Sequence, residues 1–243
     1  MISVEERGAV SVVRIENGPV NVLDLETLRE LTSTLAGLER APALVVTGAG
    51  RAFSAGVDLK RLVEGGETYT REFLLALGGV FQAVFDHPRP LVAAVNGHAI
   101  AGGCVIAAGC DYRFMSAGTI GVTELLVGVP FPGAALEAIR FVLGPRTASL
   151  VLTGRTLAPA DAQAVGLVDE VVAPADLLDA AVARAEAFAA IPAASFTMTK
   201  VALRADASRL MAGGSIDEII DAWTSPPVRE AITAYLTRLA NRA

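Results

Sequence analysis

Two short glycine-bearing turns hold the most chemistry in this chain. One is Phe53-Ser54-Ala55-Gly56-Val57-Asp58-Leu59-Lys60 and the other is Asn96-Gly97-His98-Ala99-Ile100-Ala101-Gly102-Gly103-Cys104. Each follows an apolar run and precedes a predicted helix. Small residues let a ligand approach the main chain, and a helix N-terminus presents unpaired N–H groups to negative charge. Two such turns side by side would offer two donors to one developing oxyanion. The same turns also fit ordinary strand–helix connections, in which glycine is common. No G-x-x-x-x-G-K-[ST] sequence occurs and no G-x-G-x-x-G follows a strand, so nucleotide phosphate cradles of those kinds are not supported.

The elements that must position these turns are short buried strands alternating with helices. Val4 and Val10–Ile15 read as strands around a turn at Arg7-Gly8. Asp24 is placed to cap a helix carrying Leu25, Leu28, Leu31, Leu35 and Leu38 at helical spacing. Ala43–Thr47 and Leu91–Val95 are short apolar strands, and a helix is predicted over Glu67–Asp86 between them. This alternation indicates an α/β fold with parallel strands. Beyond Pro132 the pattern is almost wholly helical, interrupted by a strand-like stretch at Val168–Val172. Pro174–Ala190 has the spacing of an amphipathic helix, Ile191-Pro192 marks a boundary, and Pro226-Pro227 opens the last helix.

The composition narrows the function classes. The chain has 243 residues, 53% hydrophobic and 19% charged, which suits one large domain with a substantial core and argues against disorder. Its net charge of −6, with no run of Lys and Arg, argues against a basic nucleic-acid platform. Cys104 and Cys110 fit neither a disulfide framework nor a zinc site, and read as buried thiols of a reducing cytoplasm. Met1–Arg7 lacks the signature of a signal peptide. The uncharged run Leu91–Cys110 has about the length of a membrane span. Asn96, Gly97, His98, Gly102 and Gly103 interrupt it, so a strand, a turn and a short buried helix are expected instead.

Four segments, in order, resemble the crotonase superfamily, the enoyl-CoA hydratase/isomerase family. They are Asn21-Val22-Leu23, then Ala52–Lys60, then Ala94–Cys104, and finally Leu152-Thr153-Gly154 with Ala160, Ala162, Gly166-Leu167-Val168 and Val171-Val172. The likeness spans essentially the whole chain. It implies a crotonase-like spiral of ββα units, residues 1–190, followed by a C-terminal helical trimerisation region, residues 191–243. Trimers of this kind often pair into hexamers. It implies acyl-CoA thioester substrates, with coenzyme A as part of the substrate and no separate cofactor. By position, the backbone N–H groups of Val57 and Gly102 become the oxyanion donors. Ala55, Asp58, Leu59 and Lys60 would line the coenzyme A path. Tyr235 and Arg238 match positions that reach the adenine and 3′-phosphate, often from a neighbouring subunit. A basic residue that the family carries near Asn21 is missing here, where Asn17-Gly18-Pro19 stands.

An oxyanion site moves no proton, so a general base is needed. Family hydratases use two glutamates. The position of the first is Val105, which cannot transfer protons, and Glu124 matches the second. Val122, Leu125, Leu126 and Val127 surround Glu124 and no basic residue adjoins it, so burial there would raise its pKa. A single carboxylate resembles the family's isomerase pattern, in which one group takes a proton from C2 and returns it at C4. Gly18-Pro19-Val20-Asn21 has a similar cast. The alternatives are a hydratase recruiting Glu64 or Glu137 as a second carboxylate, other crotonase chemistries such as decarboxylation or dehalogenation, and a non-catalytic acyl-CoA binder. A serine hydrolase built on Ser54, in the near-elbow Ala52–Gly56, would need a late histidine; the chain has only His87 and His98. Arg61–Phe73, with Gly65-Gly66, is expected to form a mobile lining of the acyl pocket.

Overall fold

A computed structural model describes residues 1–213 and 216–241. The chain opens with the antiparallel pair β1 (Ile2–Arg7) and β2 (Val10–Ile15), then β3 (Val22–Leu23) and α1 (Leu25–Gly37). Next come β4 (Ala43–Gly48), β5 (Ala52–Ser54), β6 (Gly56–Val57) and α2 (Leu59–Phe85). β7 (Leu91–Val95), β8 (His98–Ile100) and α3 (Gly102–Gly109) repeat that strand–strand–helix order. So do β9 (Tyr112–Met115), β10 (Ile120–Gly121) and α4 (Glu124–Val127). The helical part comprises α5 (Gly133–Leu143), α6 (Thr147–Val151), then β11 (Thr156–Leu157), α7 (Pro159–Val165) and β12 (Glu170–Val171). It closes with α8 (Leu177–Ala189), α9 (Ala193–Gly213), α10 (Ile216–Thr224) and α11 (Pro226–Ala240).

The turns that carry β4 and β5, β7 and β8, and β9 and β10 each contribute one strand to each of two sheets. The larger sheet has the order β1-β2-β4-β7-β9-β12, parallel except at β1. The smaller has the order β11-β10-β8-β5, and β3 pairs with β6 in a two-stranded ladder. β4 and β7 are buried along their whole length, as strands covered on both faces must be. Val46, Ala93 and Val95 face the main core with α1 and α2. Val45, Val92 and Ala94 point the other way, against Leu177, Ala181 and Ala185 of α8. That is the helix read from the periodicity of Pro174–Ala190. The uncharged run Leu91–Cys110 resolves into β7, β8 and α3, and among the described residues no helix is long and apolar enough to cross a membrane. Both cysteines are buried and free, and burial pushes the Cys110 thiol up to about 12.

Two expectations need correction. The helix expected from Glu67 begins at Leu59, where the Asp58 side chain accepts the Arg61 N–H at 3.1 Å. The stretch expected to be a mobile lining is therefore helical, broken only at Gly66 (φ 69°, ψ −163°). The kink is the physical reason for the difference: consecutive glycines lower helix propensity, yet here one glycine absorbs the bend while the cap secures the first turns.

The C-terminal helices share the main core through Met211, Ile220, Trp223 and Ile232. α9 is also held by charge. Asp111, at the start of β9, receives Lys200 Nζ at 2.7 Å and Arg204 Nη2 at 2.9 Å, with both cations nearly buried. Arg204 donates further to the Gly109 carbonyl at 2.8 Å, and Asp111 accepts the Leu91 N–H at 2.8 Å. Removing the carboxylate would leave two buried cations unpaired, so Asp111→Ala is expected to lower unfolding free energy by about 3–5 kcal/mol in a urea titration. A loss under about 1 kcal/mol would mean the cluster behaves like a solvated surface pair.

Candidate active site

The two glycine turns meet. Gly56 (φ +83°) lies so close to the second turn that an added Cβ would stand 2.7 Å from Ile100 O, 2.9 Å from Ala101 Cβ and 3.4 Å from Gly102 N. Only glycine combines that backbone angle with that approach. Two buried or half-buried asparagines shape the loop between β4 and β5. Asn21 donates through Nδ2 to the carbonyls of Ala49 and Ala52, both at 2.8 Å. Asn96 accepts the Gly48 N–H at 3.1 Å and donates to Gly50 O at 2.9 Å. Asn21 itself adopts the left-handed conformation (φ 54°), which asparagine tolerates better than most residues.

Val57 ends β6, paired in parallel register with Leu23. The Asp58 N–H donates to Leu23 O at 3.0 Å, so the alternation of the ladder turns the Val57 N–H away from β3. Gly102 is the first residue of α3, a helix buried on every side, and its N–H is one of the orphan donors of a helix start. Ala101 before it has φ 52°, a strained value for a residue with a Cβ. Its own N–H donates to Gly121 O at 2.8 Å and its carbonyl accepts Val105 N–H at 3.1 Å, which together hold the strain.

Val57, Gly102 and Glu124 line one cavity of about 400 Å³. Ala55, Asp58, Leu59, Lys60 and Tyr235 line it as well, whereas Arg238 lies outside it on exposed surface. Tyr235 lines the cavity of its own chain, because α11 folds back over α4: a Cβ on Gly128, the C-cap of α4, would stand 2.7 Å from Ala231 Cβ. Much of the remaining lining is apolar and comes from residues the motifs do not mark, including Phe81, Val129, Ala135, Trp223 and Leu236. The apolar spacing of Ile216, Ile219, Ile220 and Trp223 in α10 signals burial, but nothing in it says which cavity the helix covers.

Glu124 is the buried carboxyl of this cavity. It is 9% exposed, and its Oε2 is buried with no hydrogen-bond partner. Desolvation pushes its pKa up to about 7, against a smaller opposing effect of the Glu124 and Thr123 backbone N–H groups. The other carboxyl of the lining, Asp58, caps α2. Glu64 and Glu137 are not in the lining; they pair with Lys60 and Arg140. Val105 is buried in α3. Ser54 is fully buried, donates to Asn21 O at 2.7 Å and accepts the Gly56 N–H at 3.1 Å, so its hydroxyl is a structural link within the first turn. His87 bonds to Leu35 O at 3.2 Å and His98 to Thr119 Oγ1 at 3.1 Å, leaving Ser54 without the imidazole a hydrolase requires.

Residues 5–238 match the sequence profile of the family described as Enoyl-CoA hydratase/isomerase. A Thermus thermophilus protein with a provisional enoyl-CoA hydratase name is 35% identical, over 96% of both chains. Mitochondrial enoyl-CoA delta isomerase 1 of Homo sapiens is 29% identical, over 98% of this chain and 83% of its own length. Among solved structures, human mitochondrial delta3-delta2-enoyl-CoA isomerase superposes with a TM-score of 0.91 at 27% identity, covering 99% of this chain and 98% of that one.

The raised pKa of Glu124 has a stability consequence whose sign is fixed. The folded-state value lies above the unfolded one, so the group's ionisation disfavours folding as pH rises from about 4.5 through about 7. Glu124→Gln is therefore expected to be more stable than the parent above pH 7, by about 3 kcal/mol, with the gap closing below the unfolded pKa. Urea titrations at acid and alkaline pH measure the gap; a gap that does not grow with pH would mean the carboxyl is solvated.

Proposed function

The chain belongs to the enoyl-CoA hydratase/isomerase family, and from that premise we propose that it shifts a carbon–carbon double bond of an acyl-CoA thioester from the 3- to the 2-position. The observation that carries this reading is that, among the described lining residues, Glu124 is the one buried carboxyl with no structural bond to hold. Glu124 is poised near neutrality, and the one other carboxyl in the lining is committed to a helix cap.

In the proposed reaction the thioester oxygen accepts hydrogen bonds from the Val57 and Gly102 amides. Ionised Glu124 removes a proton from C2, and the C–H electron pair becomes the C1–C2 π bond of an enolate whose charge rests on the thioester oxygen. The enolate then collapses. Electrons return to form the C2–C3 double bond, the former C3–C4 π pair takes the proton at C4, and Glu124 supplies that proton. No water and no separate cofactor enters. A base with a pKa near the working pH both accepts and returns a proton readily, and donors fixed by the fold need no reorganisation as charge develops.

Hydration of a 2-enoyl thioester is the second reading. It is supported by the hydratase names among the relatives. It places a heavier demand on the site, since one carboxyl would have to hold water and manage the C2 proton together. Lys60 and Tyr235 would meet the coenzyme A portion, with Ala55 and Leu59 along its path; Arg238 would reach it only if the substrate extends beyond the cavity.

The purified protein is expected to turn over 3-enoyl-CoA faster than it hydrates 2-enoyl-CoA, with kcat/KM rising to a plateau above about pH 7 as Glu124 ionises. Glu124→Gln should lower kcat by roughly 10²–10⁴-fold while thioester binding persists. Dominant hydration would sink the isomerase reading, and an unchanged kcat in the variant would remove Glu124 from the chemistry.

Assembly into a trimer, or a dimer of trimers, is part of the same proposal. Met198, Val201, Leu203 and Leu210 of α9 are exposed apolar side chains on the chain alone, more than a lone surface helix usually shows. Light scattering of the purified protein should give three or six times the chain mass; a monomer at micromolar concentration would refute it.

A further inference from the structure

We infer that Trp223 determines how long an acyl chain the cavity accepts, acting as the wall between that cavity and a small void beneath the kink of α2. The inference rests on the acyl-CoA reading above. Trp223 lines the main cavity together with Leu77, Phe81 and Val129. The same residue lines a second void, of about 10 Å³, with Leu62, Val63, Thr70, Thr224, Arg229 and Ile232. It is the residue that the two linings share.

The wall is rigid. Trp223 is 3% exposed, its Nε1 donates to Pro130 O at 3.0 Å, and α10 packs on α2. An alkyl tail leaving C4 runs among apolar side chains and stops at a fixed indole, since an overfilled core is destabilised. The void behind the indole suits more of the same tail. Its apolar walls are Leu62, Val63 and Ile232, and each of its polar side chains makes a hydrogen bond within the protein. Thr70 Oγ1 donates to Gly66 O at 2.8 Å, Thr224 Oγ1 to Ile220 O at 2.8 Å, and Arg229 Nη2 to Val63 O at 3.0 Å. A space of about 10 Å³ is at the lower limit for one water molecule, so little hydration has to be displaced.

The other large lining residues do not have this property. Phe81 and Leu77 back onto the oxyanion turn itself: a Cβ on Gly102 would stand 3.6 Å from Phe81 Cζ and 3.7 Å from Leu77 Cδ1. Truncating them would loosen the oxyanion turn and widen the cavity beside it, without reaching the second void. Trp223 is the position where shortening a side chain joins two spaces.

The test is equilibrium binding of saturated straight-chain acyl-CoA thioesters, from butanoyl to hexadecanoyl, to the full-length protein, Trp223→Ala and Trp223→Phe, with folding checked by circular dichroism. Saturated thioesters make the readout independent of which reaction the site performs. Affinity in the parent should rise about four-fold per methylene and then level off. In Trp223→Ala the levelling point should move outward by roughly two carbons or more, a gain of about ten-fold or greater for the longer chains. Trp223→Phe should move it less. If Trp223→Ala does not fold, the Phe variant decides. Ladders parallel to the parent's in every folded variant overturn the wall. Absence of thioester binding to the parent overturns the acyl-CoA reading and the wall with it, so the two failures are distinguishable.

Discussion

A carboxyl oxygen cut off from water and from every hydrogen-bond donor is the constraint around which this protein is arranged. Glu124 Oε2 has no partner, and the missing solvation raises its pKa toward neutrality. Were a cation nearby, the carboxyl would be held ionised and too weak a base. Were the site wet, it would titrate as an ordinary glutamate. The surrounding apolar residues therefore serve the chemistry by exclusion. Late helices supply part of that apolar surround: α10 and α11 contribute Trp223, Tyr235, Leu236 and Leu239 to the lining.

Excluding water from a carboxyl also requires that the charge which leaves it be received elsewhere. The second turn and the first supply main-chain donors, and their convergence depends on backbone that side chains cannot tolerate. Gly56 sits against Gly102 N, and Ala101 carries a strained φ just before the helix start. Neither arrangement is stable alone. It persists because Asn21 and Asn96 satisfy the carbonyls of the intervening loop and because Ser54 ties the first turn to Asn21. The polar residues of the motifs thus fall into two groups. Asn21, Ser54 and Asn96 build the cradle, and Glu124 is the proposed base beside it. Even Gly154, in a segment far from either turn, belongs to this scheme, since a Cβ there would collide with Leu126 of the Glu124 helix at 2.6 Å.

How much of this is legible in the sequence follows from the range of each interaction. The buried strands Ala43–Thr47 and Leu91–Val95, the Asp24 cap and α8 are readable because each depends on neighbours a few residues away. The two turns and Glu124 are readable as candidates through their resemblance to a family, because residue type and order survive where geometry cannot be seen. The start of α2 is obscured because paired glycines look like a break, and only the Asp58 cap reveals that the helix begins before them. Trp223 and Leu236 carry no local sign of being lining residues, since their role depends on where two late helices land. Tyr235 stands out through the resemblance, but its placement over its own chain's cavity is a tertiary fact.

One carboxyl and two differ in how they hold a proton. A second ionisable group beside Glu124 would couple to it, splitting the pair so that one titrated lower and the other higher. Such a pair suits a reaction in which water and the C2 proton are handled by different groups. Val105, at the position where the resemblance places the other glutamate, removes that coupling and adds apolar surface in its stead. What remains is a single group near neutrality that can accept a proton and give it back without moving water. Transfer between C2 and C4 of the same chain asks for that much and no more. In the proposed reaction, the apolar burial that raises the pKa of Glu124 would also limit the access of solvent to the enolate, so one physical condition would serve both the basicity of the group and the course of that reaction.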